Sequence, residues 1–119
     1  MSIDRGDIVL VTIPDTSGRP GKTRPALLVS ANHNNYRLQD AIVALITSTT
    51  SRVKTEATQY LIEIASTEGK QSGLLHDSVV KCERLHAVLQ SIFRKKIGSL
   101  SAVAMQQIDG CLKAALDLT

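Results

Sequence analysis

The sequence is poor in aromatic residues: its 119 residues include no tryptophan, two tyrosines and one phenylalanine. The three are Tyr36, Tyr60 and Phe93. Many proteins that bind single-stranded nucleic acid stack the bases on aromatic side chains, and this composition gives little support to such a platform. If the protein binds nucleic acid, we expect recognition to rely on hydrogen bonds and phosphate contacts.

Cysteines and long apolar runs are also scarce. Cys82 and Cys111 are the only cysteines, they form no CxxC pair, and no histidine lies at metal-ligand spacing from them. The sequence therefore predicts two reduced thiols, no metal site and no disulfide framework. No apolar run approaches the roughly 20 residues that span a bilayer, and "MSIDRGD" lacks the apolar segment of a secretory leader. We predict a soluble cytoplasmic protein.

The length and charge suggest one small domain with a mild preference for anions. A chain of this length predicts a single domain over residues 1–119. The formal net charge is +3 and the pI is near 9.1, which favours anionic partners. Several cations lie in or beside two turn-rich stretches. They are Arg19, Lys22 and Arg24 in the first and Arg52 and Lys54 in the second.

Short apolar runs between polar, Gly-containing or Pro-containing segments predict five or six β-strands. The predicted strands are 8–12, 26–30, 41–47 and 59–64, with two shorter runs at 79–80 and 85–89. Pro25 biases Arg24 away from helix and toward an extended backbone. The segment 31–40 is polar and rich in asparagine, which indicates a loop or a short helix.

From Ser99 onward the apolar residues recur at three- and four-residue steps, which predicts one amphipathic helix. Gly98 and Ser99 suit its start. Gly110 weakens the helix by about 1 kcal/mol relative to alanine, but the apolar stripe continues beyond it. Strands followed by a terminal helix, without βαβ alternation, predict an antiparallel, strongly bent sheet or a small barrel.

The order of four segments resembles the MazF/PemK family of toxin endoribonucleases over nearly the full chain. The segments are "RGDIVLV" at 5–11, "KTRPALLVS" at 22–30, "ALITS" at 44–48 and "GLLHDSVVKCERL" at 73–85, before "KKIGSL". The resemblance implies a small SH3-like antiparallel β-barrel with a C-terminal helix, as in MazF and CcdB. It also implies a homodimer, cleavage of single-stranded RNA at short motifs without metal or cofactor, and a cognate antitoxin.

The resemblance also implies candidate catalytic residues. The arginine of the family's RP pair and the threonine that closes the third strand correspond to Arg24 and Thr47. Where PemK-type members have "VVRCD", this chain has "VVKCE", so Lys81 and Glu83 take the acid and base positions. Cleavage through the 2′-hydroxyl needs a base, an acid and donors for the developing charge. We assign Glu83 as base, Arg24 as phosphate clamp, Thr47 as hydroxyl donor and Lys81 as electrostatic partner or acid.

Six further residues are candidates for binding RNA. They are Arg19, Lys22, Ser48, Arg52, Lys54 and His86. Arg19 stands in a loop where many relatives have an acid. The other histidines, His33 and His76, are not at motif positions, and we expect the basic run 94–96 to be a solvated segment before the helix. Specificity is predicted to depend on the loops 14–23 and 48–58.

Two other functions stay open from the sequence. CcdB-like toxins have the same small barrel, but they bind DNA gyrase and have no enzymatic activity. A fold alone does not assign function, so this alternative stays open. A family member that binds RNA without cutting it is the second alternative, suggested by Arg19. The pairing of Arg24 with Thr47 favours the nuclease, since a gyrase binder needs no phosphate clamp.

Overall fold

The computed structural model describes residues 2–13, 17–18, 21–51 and 56–119. Within these residues the chain forms six β-strands. They are β1 (Asp7–Thr12), β2 (Thr23–Leu28), β3 (Asp40–Thr47), β4 (Gln59–Ile62), β5 (Ser78–Leu89) and β6 (Lys95–Ser99). The helices of the same parts are α1 (Asn32–Arg37), α2 (Thr67–Ser72) and α3 (Ala102–Leu116), with a 3-10 turn at Gln90–Ile92.

The strands form one antiparallel sheet in the order β4-β5-β3-β2-β1-β6. The sheet curls into a half-barrel, and α3 packs against β4 and β5. This confirms the predicted mainly β class, a small antiparallel barrel-like sheet with a C-terminal helix. None of the helices in the described ranges is long and apolar enough to cross a membrane.

Both faces of the central strands are buried, which explains why β2 and β3 are nearly unbroken apolar runs. In β3, Val43 belongs to one core cluster, whereas Ala44 and Ile46 belong to the other. The second of these clusters lies under α3 and includes the fully buried Ile108 of that helix. Since neighbouring strand residues point to opposite faces, a strand buried on both sides needs apolar residues throughout.

The two short runs predicted at 79–80 and 85–89 are one long strand, β5, with a bulge between them. Ala44 pairs with Leu85 and Leu45 pairs with Lys81, so Cys82, Glu83 and Arg84 have no partner on β3 in the register. The charged residues that separate the two apolar runs in the sequence are thus the bulge itself. A bulge bends its strand and redirects side chains, and pattern analysis alone does not distinguish it from a loop.

The predicted start of the terminal helix at Gly98 and Ser99 is wrong. Residues 95–99 form β6, which pairs with β1, so the helix begins later, at Ala102. Its N-cap is Ser101, whose Oγ accepts the Ala104 N–H at 3.1 Å. Lys95 and Lys96 are exposed as expected, but they belong to an edge strand and not to a loop.

The short helix α2 was not predicted, because six residues are too few to show a helical period. Its N-cap Ser66 accepts the Gly69 N–H at 3.0 Å, and Gly73 ends it in the left-handed conformation. From α2, Glu68 accepts the N–H and the hydroxyl hydrogen of Ser101 at 2.7 and 2.6 Å. The starts of α2 and α3 are therefore joined.

Both cysteines are free thiols, as predicted, and both are buried. Burial, together with the nearby Cys111 and Glu83, raises the pKa of Cys82 to about 12, against an opposite effect of Arg5. Burial also raises the pKa of Cys111. Because the thiolate is the reactive form, we expect both buried thiols to react slowly in the native fold.

We therefore expect the folded protein to react only slowly with iodoacetamide at pH 7.5, and the protein in concentrated urea to be alkylated at both cysteines. Mass spectrometry after quenched time points measures the two rates. Alkylation of the native protein as fast as that of the unfolded chain would contradict the burial of these thiols.

Candidate functional site

A groove of about 620 Å³ lies at one end of the sheet, where β2 and β3 and the turn before β5 meet. The described residues that line it are Leu10, Lys22, Thr23, Arg24, Pro25, Ile46, Thr47, Ser48, Thr49, Gly73, Leu74, Leu75, His76, Ser78 and Ile97. The groove thus collects Arg24, Thr47, Lys22 and Ser48, four of the residues singled out from the sequence.

The strand register explains why Arg24 and Thr47 come together. Ala26 of β2 pairs with Leu45 of β3. Arg24 lies two residues before Ala26, and Thr47 lies two residues after Leu45. Because the two strands are antiparallel, both steps lead to the same end of the sheet. Alternate residues of a strand share one face, so Arg24 and Thr47 lie on the same face at the same end of the sheet.

Backbone contacts orient the hydroxyl of Thr47. Its Oγ1 accepts the N–H of Thr49 at 3.2 Å. A hydroxyl has one hydrogen to donate and two lone pairs, so accepting this bond leaves the hydrogen of Thr47 to donate to another group. The geometry suits a donor that faces a ligand oxygen in the groove.

The groove is electropositive. Lys22 and Arg24 are both exposed in its wall, and no carboxylate is among its described lining residues. A guanidinium offers paired planar donors to phosphate or carboxylate, and an ammonium adds a point charge. The chemistry of the lining therefore suits an anionic ligand with phosphate oxygens.

Lys81 and Glu83 lie outside the lining of this groove. Lys81 pairs with Leu45 on one side and with Gln59 on the other. It therefore lies on the face that carries Arg24 and Thr47, two residues further along the strands than Thr47. Glu83 lies in the bulge, where its carboxylate accepts the Thr58 hydroxyl at 3.1 Å and the Gln59 amide at 2.8 Å.

Competing effects act on the Glu83 carboxyl. Partial burial raises its pKa, but hydrogen bonds from Gln59, its own backbone N–H and Thr58, together with the charge of Lys81, give a net pKa below the ordinary value. Glu83 is therefore ionised at neutral pH. An ionised carboxylate can accept a proton, although a lowered pKa makes it a weaker base.

The structure places the remaining candidates as follows. Arg19, Arg52 and Lys54 lie outside the described residues. His86 lies on β5 opposite Val43 and does not line the groove.

One groove residue that the motifs did not single out is His76, in the turn between α2 and β5. Its place shortly before the apolar run at 79–80 is the only sequence signal.

Within the described parts of the chain, no three His, Cys, Asp or Glu side chains are grouped closely enough to hold a metal ion. The donors that converge in the groove are nitrogen donors of Lys22 and Arg24 and the hydroxyls of Thr47 and Ser48. These groups are suited to direct contact with an anion.

The curled antiparallel sheet, the terminal helix and the cationic groove define a small, mainly β domain with a site that suits anions. The sequence profile of the PemK-like, MazF-like toxins of type II toxin-antitoxin systems matches residues 4–116. The chain belongs to this family.

Relatives and solved structures agree with this assignment. The chain is 28% identical over 120 residues to endoribonuclease MazF6 of Mycobacterium tuberculosis, covering 99% of this chain and 100% of the relative. It is 29% identical over 118 residues to MazF9 of the same organism, covering 96% of each chain.

Two solved structures share the fold. A mycobacterial endoribonuclease in complex with its cognate antitoxin superposes with a TM-score of 0.78 at 19% identity, over 99% of this chain and 98% of the other. The MazE-MazF complex of Deinococcus radiodurans gives 0.73 at 18% identity over the full length of both chains.

Proposed function

We propose that the protein is the toxin of a type II toxin-antitoxin system and acts as an endoribonuclease that cuts single-stranded RNA at short motifs. The observation that carries this proposal is that Arg24, Thr47 and Lys22 line one groove, with no carboxylate among the described residues of its lining. Its family and its endoribonuclease relatives support the same activity.

The proposed reaction is transesterification within the RNA. The 2′-hydroxyl loses its proton to a base and attacks the adjacent phosphorus, which leaves a 2′,3′-cyclic phosphate. The bond to the 5′-oxygen breaks, and that oxygen takes a proton from an acid. Arg24 clamps the phosphate and stabilises the charge that develops on its oxygens, while Thr47 donates to one of them. No step requires a metal ion.

Glu83 and Lys81 are our proposed base and acid. Glu83 is ionised and has a lowered pKa, and Lys81 contributes to that lowering. Lys81 shares the sheet face of Arg24 and Thr47. RNA that extends beyond the groove along this face would come close to both groups.

The partners follow from the charge of the groove. We propose that a cognate antitoxin inhibits the protein by laying an acidic, partly disordered segment over Lys22 and Arg24, in competition with RNA. We also propose a cytoplasmic homodimer with RNA crossing between the subunits. The residues proposed to bind that RNA are Arg19, Lys22, Ser48, Arg52, Lys54 and His86.

The test is incubation of the purified protein with a long single-stranded RNA in EDTA, with the product ends mapped. Cuts at recurring short motifs that leave 2′,3′-cyclic phosphate ends would establish the activity. Intact RNA would instead favour a protein that binds RNA without cutting it or a gyrase binder. A gyrase supercoiling assay distinguishes these two.

Glu83→Gln tests the proposed base. Because a positioned base contributes about 10²- to 10⁴-fold to a rate, we expect kcat for RNA cleavage to fall at least 100-fold. The amide oxygen still accepts one of the two hydrogen bonds from Thr58 and Gln59. Glu63→Gln, an exposed change beyond β4, is the control. Full activity in Glu83→Gln would assign the carboxylate a structural role.

A further inference from the structure

A second cavity adjoins the groove. Its volume is about 540 Å³, and it shares Ser48, Leu75 and His76 with the groove. The rest of its described lining is Thr50, Ile64 and Asp77. We call it the flanking cavity. The proposed reaction does not use it.

The flanking cavity combines exposed apolar side chains with polar ones. Leu75 is 81% exposed, the highest value among the large hydrophobic residues in the described ranges, and Ile64 is 36% exposed. Leu75 and Ile64 thus give the flanking cavity a small apolar part. The hydroxyls of Ser48 and Thr50 lie in the same lining.

Hydrogen bonds hold the turn that presents Leu75 and His76. The Asp77 carboxylate accepts the Ile64 N–H at 2.7 Å, which ties the turn to the end of β4. The Ser78 hydroxyl donates to the His76 carbonyl at 2.8 Å. The exposure of Leu75 therefore occurs on an ordered backbone, which lowers the entropic cost of binding a ligand there.

We infer that the flanking cavity is a nucleobase subsite, which holds the base of the nucleotide next to the cleaved phosphodiester. The inference rests on the proposed function and deepens it. A base has two apolar faces and a hydrogen-bonding edge. Leu75 and Ile64 contact a face, and the hydroxyls of Ser48 and Thr50 contact the edge.

The position of the flanking cavity favours an RNA base over any other ligand. A strand whose phosphate is held by Arg24 must place a neighbouring base to one side of it. Ser48 directly follows Thr47 in the chain and borders both cavities, which marks that side. The turn 74–77 therefore joins the loops 14–23 and 48–58 as a determinant of the cleaved sequence, and the stacking partner in it is aliphatic.

The experiment uses a short RNA that contains a mapped cleavage motif, and a set of versions that each lack the base at one position. The ratio kcat/KM is measured for the wild type, Leu75→Ala and the control Leu118→Ala, which changes another exposed leucine (59%). We expect kcat/KM of the wild type to fall about 5- to 10-fold when the base at one position beside the cut is missing.

Leu75→Ala should lower kcat/KM on the intact RNA by a similar factor. Removing this base should then lower it little further, because the contact between Leu75 and the base is already lost. Leu118→Ala should behave as the wild type. The subsite would be overturned if the losses from Leu75→Ala and from a missing base multiplied at every position. Wild-type kcat/KM for Leu75→Ala on every RNA would also overturn it.

A wild type that cuts no RNA contradicts the proposed function but still tests the subsite. The same RNAs are then compared in binding by fluorescence anisotropy. A loss of affinity at one missing base that disappears in Leu75→Ala supports the subsite. Equal affinities of both proteins for all RNAs overturn it.

Discussion

Arg24→Ala is expected to lower kcat for RNA cleavage by about 100- to 1,000-fold, the effect of removing one donor that stabilises charge in a transition state. Arg24 is exposed in the groove wall, so its removal leaves the core intact. The loss should appear in kcat more than in KM, because the charge on the phosphate oxygens grows as the 2′-hydroxyl attacks.

The conservative variant distinguishes charge from geometry. Arg24→Lys keeps the cation but not the paired planar donors, so we expect an activity between those of the wild type and Arg24→Ala. Arg37→Ala is the matched control, because Arg37 lies on α1 and donates to Asn34. Single-turnover kinetics on one labelled RNA measures all four proteins. A rate for Arg24→Ala within threefold of wild type would remove Arg24 from the mechanism.

Gly98→Ala is expected to destabilise the fold by about 3 kcal/mol, at the upper end of the usual cost of overpacking. Gly98 lies on β6, and a Cβ there would collide with the backbone carbonyls of Gln71 and Ser72 at the end of α2. The colliding atoms belong to the backbone, so no side-chain rotation relieves the contact. α2 and β6 would have to separate.

Gly110→Ala is the control, and we expect it to change the free energy of unfolding in the opposite direction. Gly110 lies within α3, and a Cβ there would meet nothing within 4 Å. Alanine favours helix over glycine by about 1 kcal/mol, so this variant should be more stable than the wild type. Urea unfolding followed by circular dichroism measures both free energies of unfolding. Equal stability of Gly98→Ala and the wild type would contradict the close packing of α2 on β6.

The sequence predicted the elements whose pattern is set by burial. β1, β2 and β3 are apolar because they are covered on both faces, and the stripe of α3 faces the core through Ile108. These signals are local. The elements that it missed depend on distant partners: β6 is a strand because it pairs with β1, and its own residues, "KKIGS", have little strand preference.

The candidate site divides in the same way. Arg24 and Thr47 could be named from segments that resemble a family, and the register of β2 and β3 explains their proximity. His76 and Leu75 lie in another of these segments, but its pattern did not single them out, because they reach the groove only through the path of the turn after α2. The bulge at Cys82–Arg84 likewise results from a change of pairing between β5 and β3, which a single strand does not reveal.

β1 lies between β2 and β6 in the sheet, so its pairing is complete only when both neighbours have been synthesised. β1 is synthesised well before its second neighbour, residues 95–99. Pairing across such long sequence separations slows folding. The sheet that supports the groove is therefore complete only after β6 has been synthesised, and the growing chain has no fully assembled groove before that point.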